Sequence, residues 1–281
     1  MKRYGACAVV TGAARGIGKA FAIELAAAGM QLILIDILPQ ELQDTAAELK
    51  STYNISVIAV EADLGAKEGV DKVLQIIADH EIGLFCCNHA STHLFADGKL
   101  REWVDISTEE LNAMVHINIT AAVAMVHSVA NAMRKRGKGG IVLVSSGSAL
   151  SGSPYLSQYA ATKAFLANLG ETLWWELGKY GIDVVTVFPG ATNTPGAIKF
   201  FSLEGKQKIP MMTPEAVAKE SLAGLGKKMQ VIPGFMNKVQ TLVTTRLLPR
   251  KIWLFCFGKM FSRFLNVKEP QIAKNTEPSS L

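Results

Sequence analysis

The feature that most constrains the fold is a glycine-rich turn, Thr11-Gly-Ala-Ala-Arg-Gly-Ile-Gly18, that follows an apolar run at residues 6–10. We predict a β-strand before the turn and an amphipathic helix after it. Gly12 permits a tight turn, Gly16 lets the backbone approach a pyrophosphate, and Gly18 lets the helix pack closely on the sheet. Phosphates would lie at the N-terminus of that helix, where free N–H groups favour anions. A plain turn between strand and helix is the alternative.

Apolar runs and amphipathic patterns then alternate along the chain. Residues 31–36 are apolar without alternation, as expected of a strand that is buried on both faces of a sheet. Such alternation predicts an α/β fold, a Rossmann-type doubly wound parallel sheet flanked by helices. The predicted strands are 6–10, 31–36, 57–60, 83–87, 140–144, 183–188 and 230–232. The predicted helices are 17–29, 39–50, 67–80, 107–133, 157–180 and 214–228.

Length and composition indicate one globular domain with an extension. The chain has 281 residues, of which 49% are hydrophobic and 19% charged, so it has enough apolar material for a core. We predict a catalytic domain at 1–234, an apolar and basic helical extension at 235–268, and a disordered tail at 269–281. We see no leader pattern and no run approaching the ~20 apolar residues of a membrane span, and therefore expect a cytoplasmic protein.

The cysteines and the charge exclude two classes of partner. The four cysteines lie in apolar segments, and their spacing does not resemble a metal site, so we expect buried, reduced thiols and no metal. The formal charge of +5 is local, because seven basic residues and no acidic residue lie in the extension, and without them the charge would be −2. This distribution argues against a nucleic-acid partner. The seven are Lys238, Arg246, Arg250, Lys251, Lys259, Arg263 and Lys268.

Two acidic positions bear on the choice of nucleotide. Asp36 ends the second predicted strand, where a carboxylate can accept hydrogen bonds from an adenosine ribose. At ~5 Å it would repel a 2′-phosphate by about 3 kcal/mol per charge pair, which predicts NAD. Arg15 favours the alternative, NADP, but no second basic residue follows Asp36. Asp63 and Leu64 end the third strand, near an expected adenine, although Asp63 could equally cap the helix that begins at Lys67.

Tyr159 and Lys163 stand four residues apart, on one face of a predicted helix. Hydride transfer from an alcohol needs a base for the hydroxyl proton, and the reverse reaction needs the same group as an acid. A tyrosine near pKa 10 is poorly matched to neutral pH. A cation ~4 Å from the phenolate contributes about 4 kcal/mol at intermediate dielectric, which is enough to lower that pKa by about three. We therefore predict that Lys163 activates Tyr159 for proton transfer.

Together these motifs resemble the NAD(P)-dependent short-chain dehydrogenase/reductase superfamily over about residues 6–232. The resemblance implies an oxidoreductase that moves a hydride between a nicotinamide cofactor and a secondary alcohol or ketone. The matching features, in family order, are Thr11-Gly-x-x-x-Gly-x-Gly18, Asn88-His-Ala90, Asn118, Ser145-Ser146, Tyr159-x-x-x-Lys163 and Pro189-Gly190.

The resemblance also implies residue roles. Lys163 would hold the nicotinamide ribose, a serine would polarise the carbonyl, and Asn118 would hold a water in a proton relay. The family separation of thirteen residues before the tyrosine points to Ser146 rather than Ser145 or Ser148. Considered alone, Asn118 could instead lie on a solvated helix face. The implied cofactor contacts are Gly12, Arg15, Gly16, Ile17, Gly18, Asp36, Asp63, Leu64, Asn88, Tyr159, Lys163, Pro189, Gly190 and Thr192.

One motif departs from the family pattern. Asn88-His89-Ala90-Ser91 stands where the family usually has Asn-Asn-Ala-Gly, so an imidazole and a Cβ replace an amide and a glycine beside the expected nicotinamide. This departure puts the loop geometry in question. We assign His89 no proton-transfer role, because a lone histidine is more often structural.

The segments that face the substrate in this family are apolar here. They predict an apolar alcohol or ketone, such as a steroid, a retinoid or a long-chain acyl compound, unless these residues only close the core. An NADP-preferring 3-oxoacyl or carbonyl reductase is a near alternative. A nucleotide-binding regulator or scaffold is a further one, and would be expected to lack the tyrosine or lysine. The residues are Leu150, Pro154, Tyr155, Leu156, Ile198, Phe200, Phe201, Ile209, Met211 and Met212.

Two surfaces predict association. The family often pairs subunits through helices that include the one carrying Trp174 and Trp175, so we expect a homodimer or homotetramer. Apolar residues recur at helical spacing over 235–265, with Trp and Phe interspersed among Lys and Arg. This pattern is typical of an interfacial membrane segment and suggests peripheral membrane contact. The alternative is that the segment packs over the substrate pocket or a partner subunit.

Overall fold

A single parallel sheet organises the protein. The computed structural model describes residues 1–92, 101–202 and 211–265. Its strands are β1 Cys7–Thr11, β2 Gln31–Asp36, β3 Val57–Glu61, β4 Ile82–Cys87, β5 Gly139–Val144, β6 Ile182–Val187 and β7 Gln230–Val231. They run in the order β3-β2-β1-β4-β5-β6-β7, and every pairing is parallel. The order reverses between β1 and β4, and ligands bind at the carboxyl ends of strands beside such a point.

Helices cover both faces of the sheet, as predicted. They are α1 Gly16–Ala27, α2 Pro39–Tyr53, α3 Lys67–Asp79, α4 Thr108–Val115, α5 Ala122–Arg136, α6 Ser157–Gly178, α7 Pro195–Ser202, α8 Pro214–Gly224, α9 Phe235–Leu242 and α10 Arg250–Leu265. One core layer joins the sheet to α1, α2 and α8, and the other joins it to α3, α5 and α6. Alternate residues of β1 enter opposite layers, Val10 the first and Val9 the second.

The predicted strands and helices are present, with ends that differ by at most four residues. The region after the Pro189-Gly190 motif contains one helix, α7, that is absent from the predicted set. Thr194 accepts a hydrogen bond from Ala197 N at 3.2 Å where this helix begins. Residues 203–210, including the predicted substrate residue Ile209, lie outside the described residues, as do the side chains of Phe200 and Phe201 and the predicted tail at 269–281.

A π-helical segment, His116–Ala121, interrupts the long helix between α4 and α5. The helix begins with a capping box, in which Ser107 Oγ accepts from Glu110 N at 3.2 Å and the Glu110 carboxylate accepts from Ser107 N at 3.2 Å. From Thr108 to Arg136 it is long and apolar enough to cross a membrane, contrary to the expectation that no run approaches the ~20 apolar residues of a membrane span. Because its apolar side packs in the core layer against β4 and β5, we interpret it as a core helix.

The cysteines divide into interior and surface thiols. Cys86 and Cys87 are buried, and burial raises the pKa of the Cys87 thiol to about 12. Cys7 is half-buried, and burial raises its pKa to about 11. Cys256 is exposed on α10, so the expectation that all four thiols are buried was wrong. None of the four forms a disulfide with another cysteine of the described chain.

Candidate active site

The glycine turn is shaped for an anion. Gly12 and Gly16 have φ values of +66° and +58°, which favour glycine. A Cβ on Gly18 would lie 1.8 Å from the carbonyl oxygen of Gly12, so only glycine allows α1 to approach β1 this closely. No side chain in the described structure caps α1 at Arg15, and its first turn has no acidic residue. The free N–H groups at this helix end therefore fit a pyrophosphate.

Asn88 holds the glycine turn from the end of β4. Its Nδ2 donates to the carbonyl oxygens of Thr11 and Gly12 at 3.1 and 3.2 Å. Its backbone N donates to Thr11 Oγ1 at 3.0 Å. The turn thus engages the amide donors of Asn88. This residue, which was predicted to contact the cofactor, supports the loop that would carry the phosphates.

His89 links the nucleotide turn to the π-helical segment. Its Nε2 lies 3.0 Å from the carbonyl oxygen of Ile117, which can only accept, so Nε2 carries the proton. Nδ1 then accepts from Thr11 Oγ1 at 2.8 Å. Burial, aided by the charge of Lys163, lowers the pKa of His89 to about 4, so the ring is neutral near pH 7. This is a structural role, in agreement with the sequence interpretation, and it accounts for an imidazole at this unusual position.

The adenosine end of the crevice carries acidic groups. Asp36 Oδ2 accepts from Ala14 N at 2.9 Å, and Oδ1 accepts from Ile37 N at 2.8 Å. Arg15 pairs with Glu41 at 3.3 Å, on the first turn of α2. The basic residue that would attract a 2′-phosphate therefore has an acidic partner beside it. Ile17, a further predicted contact, packs against the core layer of α1 and is only partly exposed.

Asp63 and Leu64 follow β3 as predicted, but Asp63 does not cap α3. Its Oδ1 accepts from Gly65 N at 2.7 Å, which closes a local turn. The N-cap of α3 is Ala66, whose side chain has no acceptor for a capping hydrogen bond. Leu64 is buried whereas Asp63 is exposed. The capping alternative was therefore wrong, and the carboxylate remains open to a ligand.

Tyr159 and Lys163 lie side by side on α6, where Tyr159 is half-buried and Lys163 is buried. Lys163 is 1% exposed, and its Nζ donates to the carbonyl oxygen of Val144 at 2.8 Å. Nζ lies 5.9 Å from the centroid of the Tyr159 ring. Burial lowers the pKa of Lys163 to about 8, and the nearby Cys87 opposes that shift.

Burial raises the pKa of Tyr159 above 10, and a hydrogen bond with Ser146 only partly opposes the shift. This corrects the expectation that Lys163 lowers the pKa of Tyr159. The lysine instead hydrogen-bonds to a backbone carbonyl, and the desolvation of the phenolate is the main cause that raises the pKa of Tyr159.

The serines after β5 have separate roles. Ser146 accepts hydrogen bonds from Ser148 N at 3.2 Å and from Ser148 Oγ at 2.9 Å, and its own hydroxyl is free to donate to Tyr159. Ser145 instead donates to the carbonyl oxygen of Lys163 at 2.7 Å and is buried. The structure thus places Ser146, the serine predicted from spacing, beside the tyrosine hydroxyl.

Asn118 is fully buried in the π-helical segment, so the alternative of a solvated helix face was wrong. Its Oδ1 accepts from Ser91 N at 2.7 Å, and its Nδ2 donates to Ser91 O at 2.9 Å and to Thr162 Oγ1 at 3.0 Å. Thr162 in turn donates to the carbonyl oxygen of Tyr159 at 2.8 Å. Asn118 therefore connects the loop after β4 to the helix that carries Tyr159 and Lys163. Sequence reasoning missed Thr162, since a threonine within a helix gives no signal.

The Pro189-Gly190 loop closes the same crevice. The carbonyl oxygen of Pro189 accepts from Gly147 N at 2.9 Å, next to the serine segment. Thr192 Oγ1 donates to Gly190 O at 3.0 Å and is buried. The glycine turn, the serine segment and this loop thus meet at the carboxyl edge of the sheet.

The extension covers the segment that follows β5. Trp253 Nε1 donates to Ser151 Oγ at 2.6 Å, and Tyr155 OH and Ser262 Oγ lie 2.9 Å apart. A Cβ on Gly152 would lie 2.8 Å from Leu254 Cδ2. The inner face of the extension therefore packs on the segment that was predicted to face the substrate, as the alternative to membrane contact had it. The tryptophan and serine contacts were not predicted from the sequence.

Sequence comparison identifies the family. The family model for the short chain dehydrogenase matches residues 6–230, and the chain belongs to this family of oxidoreductases. A 7beta-hydroxysteroid dehydrogenase of Mediterraneibacter gnavus is 31% identical over 84% of this chain and 89% of the relative. An inactive hydroxysteroid dehydrogenase-like protein 1 of Mus musculus is 30% identical over 91% of this chain and 76% of the relative.

Solved structures agree with the fold. A structure from work on 7beta-hydroxysteroid dehydrogenase stereoselectivity matches with a TM-score of 0.83 at 25% identity, over 92% of this chain and 98% of the other. A short chain dehydrogenase of Mycobacterium paratuberculosis bound to NAD matches with a TM-score of 0.68 at 25% identity, over 83% and 97%. Family membership and the fit of the glycine turn to a pyrophosphate give NAD(P) as the cofactor of this protein.

Proposed function

We propose that the protein interconverts a secondary alcohol and a ketone on an apolar, steroid-type substrate, with NAD as the preferred cofactor. The observation that carries the proposal is the cluster of buried Lys163 with half-buried Ser146 and Tyr159, with Asn118 holding the surrounding elements together. A regulator that only binds nucleotide would have no need to keep a buried lysine beside a tyrosine, because the burial of an ammonium group is costly.

The side chains divide the proton chemistry among them. The bound nicotinamide cofactor supplies or accepts the hydride. In the direction of reduction, Tyr159 is protonated at neutral pH and donates its proton to the carbonyl oxygen, while the Ser146 hydroxyl stabilises the negative charge on the phenol oxygen. In oxidation the phenolate takes the hydroxyl proton. Lys163, with a pKa of about 8, is cationic at neutral pH and stabilises the anionic form of the site.

The apolar substrate class is supported by the composition of the covering segments. Leu150, Pro154, Tyr155 and Leu156 are half-buried after β5, beneath Trp253 of the extension. The bacterial relative named above acts on a 7beta-hydroxysteroid, and we extend that substrate type, without the position of the hydroxyl, to this chain. The near alternative to this function is an NADP-preferring 3-oxoacyl or carbonyl reductase.

The preference for NAD rests on charge. A 2′-phosphate near Asp36 would also meet Glu41, the partner of Arg15. Two carboxylates face a single arginine there, so the local balance disfavours the additional phosphate of NADP.

The test is turnover by the purified chain with hydroxysteroids and the matching ketosteroids, retinol, long-chain secondary alcohols and a 3-oxoacyl thioester, each with NAD and with NADP. We expect a change in nicotinamide fluorescence with steroids and NAD, and none with the Tyr159→Phe variant. Nucleotide binding without turnover of any substrate would favour the regulator. Turnover of the thioester alone, with NADP, would favour the near alternative.

We also propose a homo-oligomer formed through α6. Trp174 and Trp175 are 41% and 78% exposed on this helix, a large apolar area for a monomer surface. Light scattering should give the mass of a dimer or tetramer, and Trp175→Ser should lower it. A monomeric wild type would refute this proposal.

A further inference from the structure

The helix α10 has two chemically different faces. Its inner face contacts the body through Trp253, Gly258 and Ser262, which meet Ser151, Pro154 and Tyr155 respectively. Its outer face presents exposed apolar side chains, with Lys251 and Lys259 beside them. The apolar members are Ile252, Phe255, Cys256 and Met260. At helical spacing these positions form one continuous stripe on the side away from the body.

The preceding helix, α9, repeats this arrangement. Asn237 and Lys238 face the body, where Asn237 Nδ2 donates to Pro233 O at 2.8 Å and Lys238 pairs with Glu220 at 3.2 Å. On the other side, Phe235 and Met236 are 76% and 73% exposed. We define the outer surface of the extension as its exposed apolar residues: Phe235, Met236, Val239, Leu242, Leu247, Leu248, Ile252, Phe255 and Met260.

The charge of the extension indicates what covers this surface. Residues 235–268 contain seven basic residues and no acidic one. A second copy that paired through the same face would bring like charges together, since a two-fold contact places each patch against itself. An anionic lipid surface offers both an apolar interior for the exposed side chains and phosphate groups for the cations.

We infer that the outer surface of the extension docks this protein onto an anionic membrane surface. Phe235, Met236, Ile252, Phe255 and Met260 would enter the boundary between headgroups and acyl chains, with Arg246, Arg250 and Lys251 among the headgroups. The inner face would remain on the body, because its contacts lie on the opposite side of the same helices. Docking of this kind requires no substrate and no turnover, and it stands apart from the proposed function.

Flotation of the full chain with vesicles tests the inference. We expect binding to vesicles of phosphatidylcholine with phosphatidylglycerol, little binding to phosphatidylcholine alone, and weaker binding at high salt. Phe255→Glu should lower the partition coefficient about tenfold or more, and Lys251→Gln about fivefold. The matched control is Val104→Glu, because Val104 is 76% exposed but lies outside the extension. It should bind as the wild type does.

A probe on Cys256 gives a second readout in the otherwise native chain. Cys256 is exposed on the outer face, whereas Cys86 and Cys87 are buried, so a polarity-sensitive thiol dye should react there first. Its emission should shift to the blue with anionic vesicles and not with neutral ones. The inference is overturned if the wild type stays in the soluble fraction with anionic vesicles at low salt, or if Phe255→Glu binds as tightly as Val104→Glu. It is also overturned if Phe255→Glu, without lipid, converts an oligomer to a monomer, because a second copy would then be the occupant.

Discussion

The two sides of the active site are held by different kinds of contact. On the nucleotide side, buried side chains bond to backbone groups of distant elements, as His89 does with Ile117 and Asn118 with Ser91. On the substrate side, a surface helix is held by two partly buried hydroxyl contacts, Trp253 with Ser151 and Tyr155 with Ser262. A buried polar group that loses its partner costs about 1–3 kcal/mol, whereas a partly solvated group can bond to water instead. We therefore expect the nucleotide side to be rigid and sensitive to the loss of a single hydrogen bond. The covering helix should be able to separate from the body on its own.

The largest effect should come from the reacting hydroxyl on the rigid side. Tyr159→Phe should lower kcat/KM about 10²–10⁴-fold, because it removes the proton donor, and leave nucleotide affinity within about twofold. Steady-state kinetics and nucleotide titration would measure the two effects. Tyr180→Phe, at a half-buried tyrosine that follows the end of α6, is the matched control. Activity above a few per cent of wild type in Tyr159→Phe would remove Tyr159 from the proton-transfer role.

Asp36 tests whether charge at the adenosine end sets the cofactor. Asp36→Asn removes the charge and keeps one of the two acceptor oxygens, which bond to Ala14 N on one side and Ile37 N on the other, so kcat/KM for NADP relative to NAD should rise roughly a hundredfold. Asp44→Asn, on the exposed side of α2, should leave the ratio unchanged. A wild type that already prefers NADP would show that Arg15 outweighs both carboxylates.

The pH dependence of the free energy of unfolding tests whether His89 is held in a rigid nucleotide side. Unfolding returns its pKa from about 4 to about 6.5, so as pH falls the unfolded chain takes up the proton first and the folded state loses stability between those values. From about pH 7.5 to 5 the loss due to His89 should be about 2 kcal/mol.

Denaturant unfolding of wild type and His89→Asn at both pH values would measure this difference. The variant, which restores the usual amide of the family, should lose about 2 kcal/mol less than the wild type. Equal losses in the two proteins would mean that the imidazole is not buried in its neutral form.

The smallest effect should appear at the covering helix. Ser262→Ala removes the hydrogen bonds of that hydroxyl with Tyr155 OH and Gly258 O, and Trp253→Phe removes the bond to Ser151, while the packing of Trp253 on Phe257 is largely kept. Hydrogen exchange of the α10 amides should accelerate about two- to tenfold, with exchange in β1 and β4 unchanged. Ser51→Ala, at a surface bond on α2, is the control. Equal acceleration in β1 would show that the two sides unfold as one unit.

The sequence by itself determined the order of the elements and most of the chemistry. Strands without alternation, a glycine turn and a capping box depend on neighbours in the chain, because burial and hydrogen bonding repeat at the period of the strand or helix. The spacing of Tyr159 and Lys163, four residues apart on one helix, is local for the same reason. These features were therefore predictable from the sequence.

Only the tertiary structure decided which distant groups meet. Nothing near Asn118 in the chain specifies Ser91 or Thr162 as partners, and nothing near Arg15 specifies Glu41. The expected effect of Lys163 on the pKa of Tyr159 was wrong for the same reason, because burial and a backbone acceptor are set by packing. The extension showed an amphipathic period in sequence, but its inner and outer faces became distinct only when Trp253 and Ser262 met the loop after β5. A side chain carries its own chemistry, whereas its pKa and its partners depend on what the fold brings within a few ångströms.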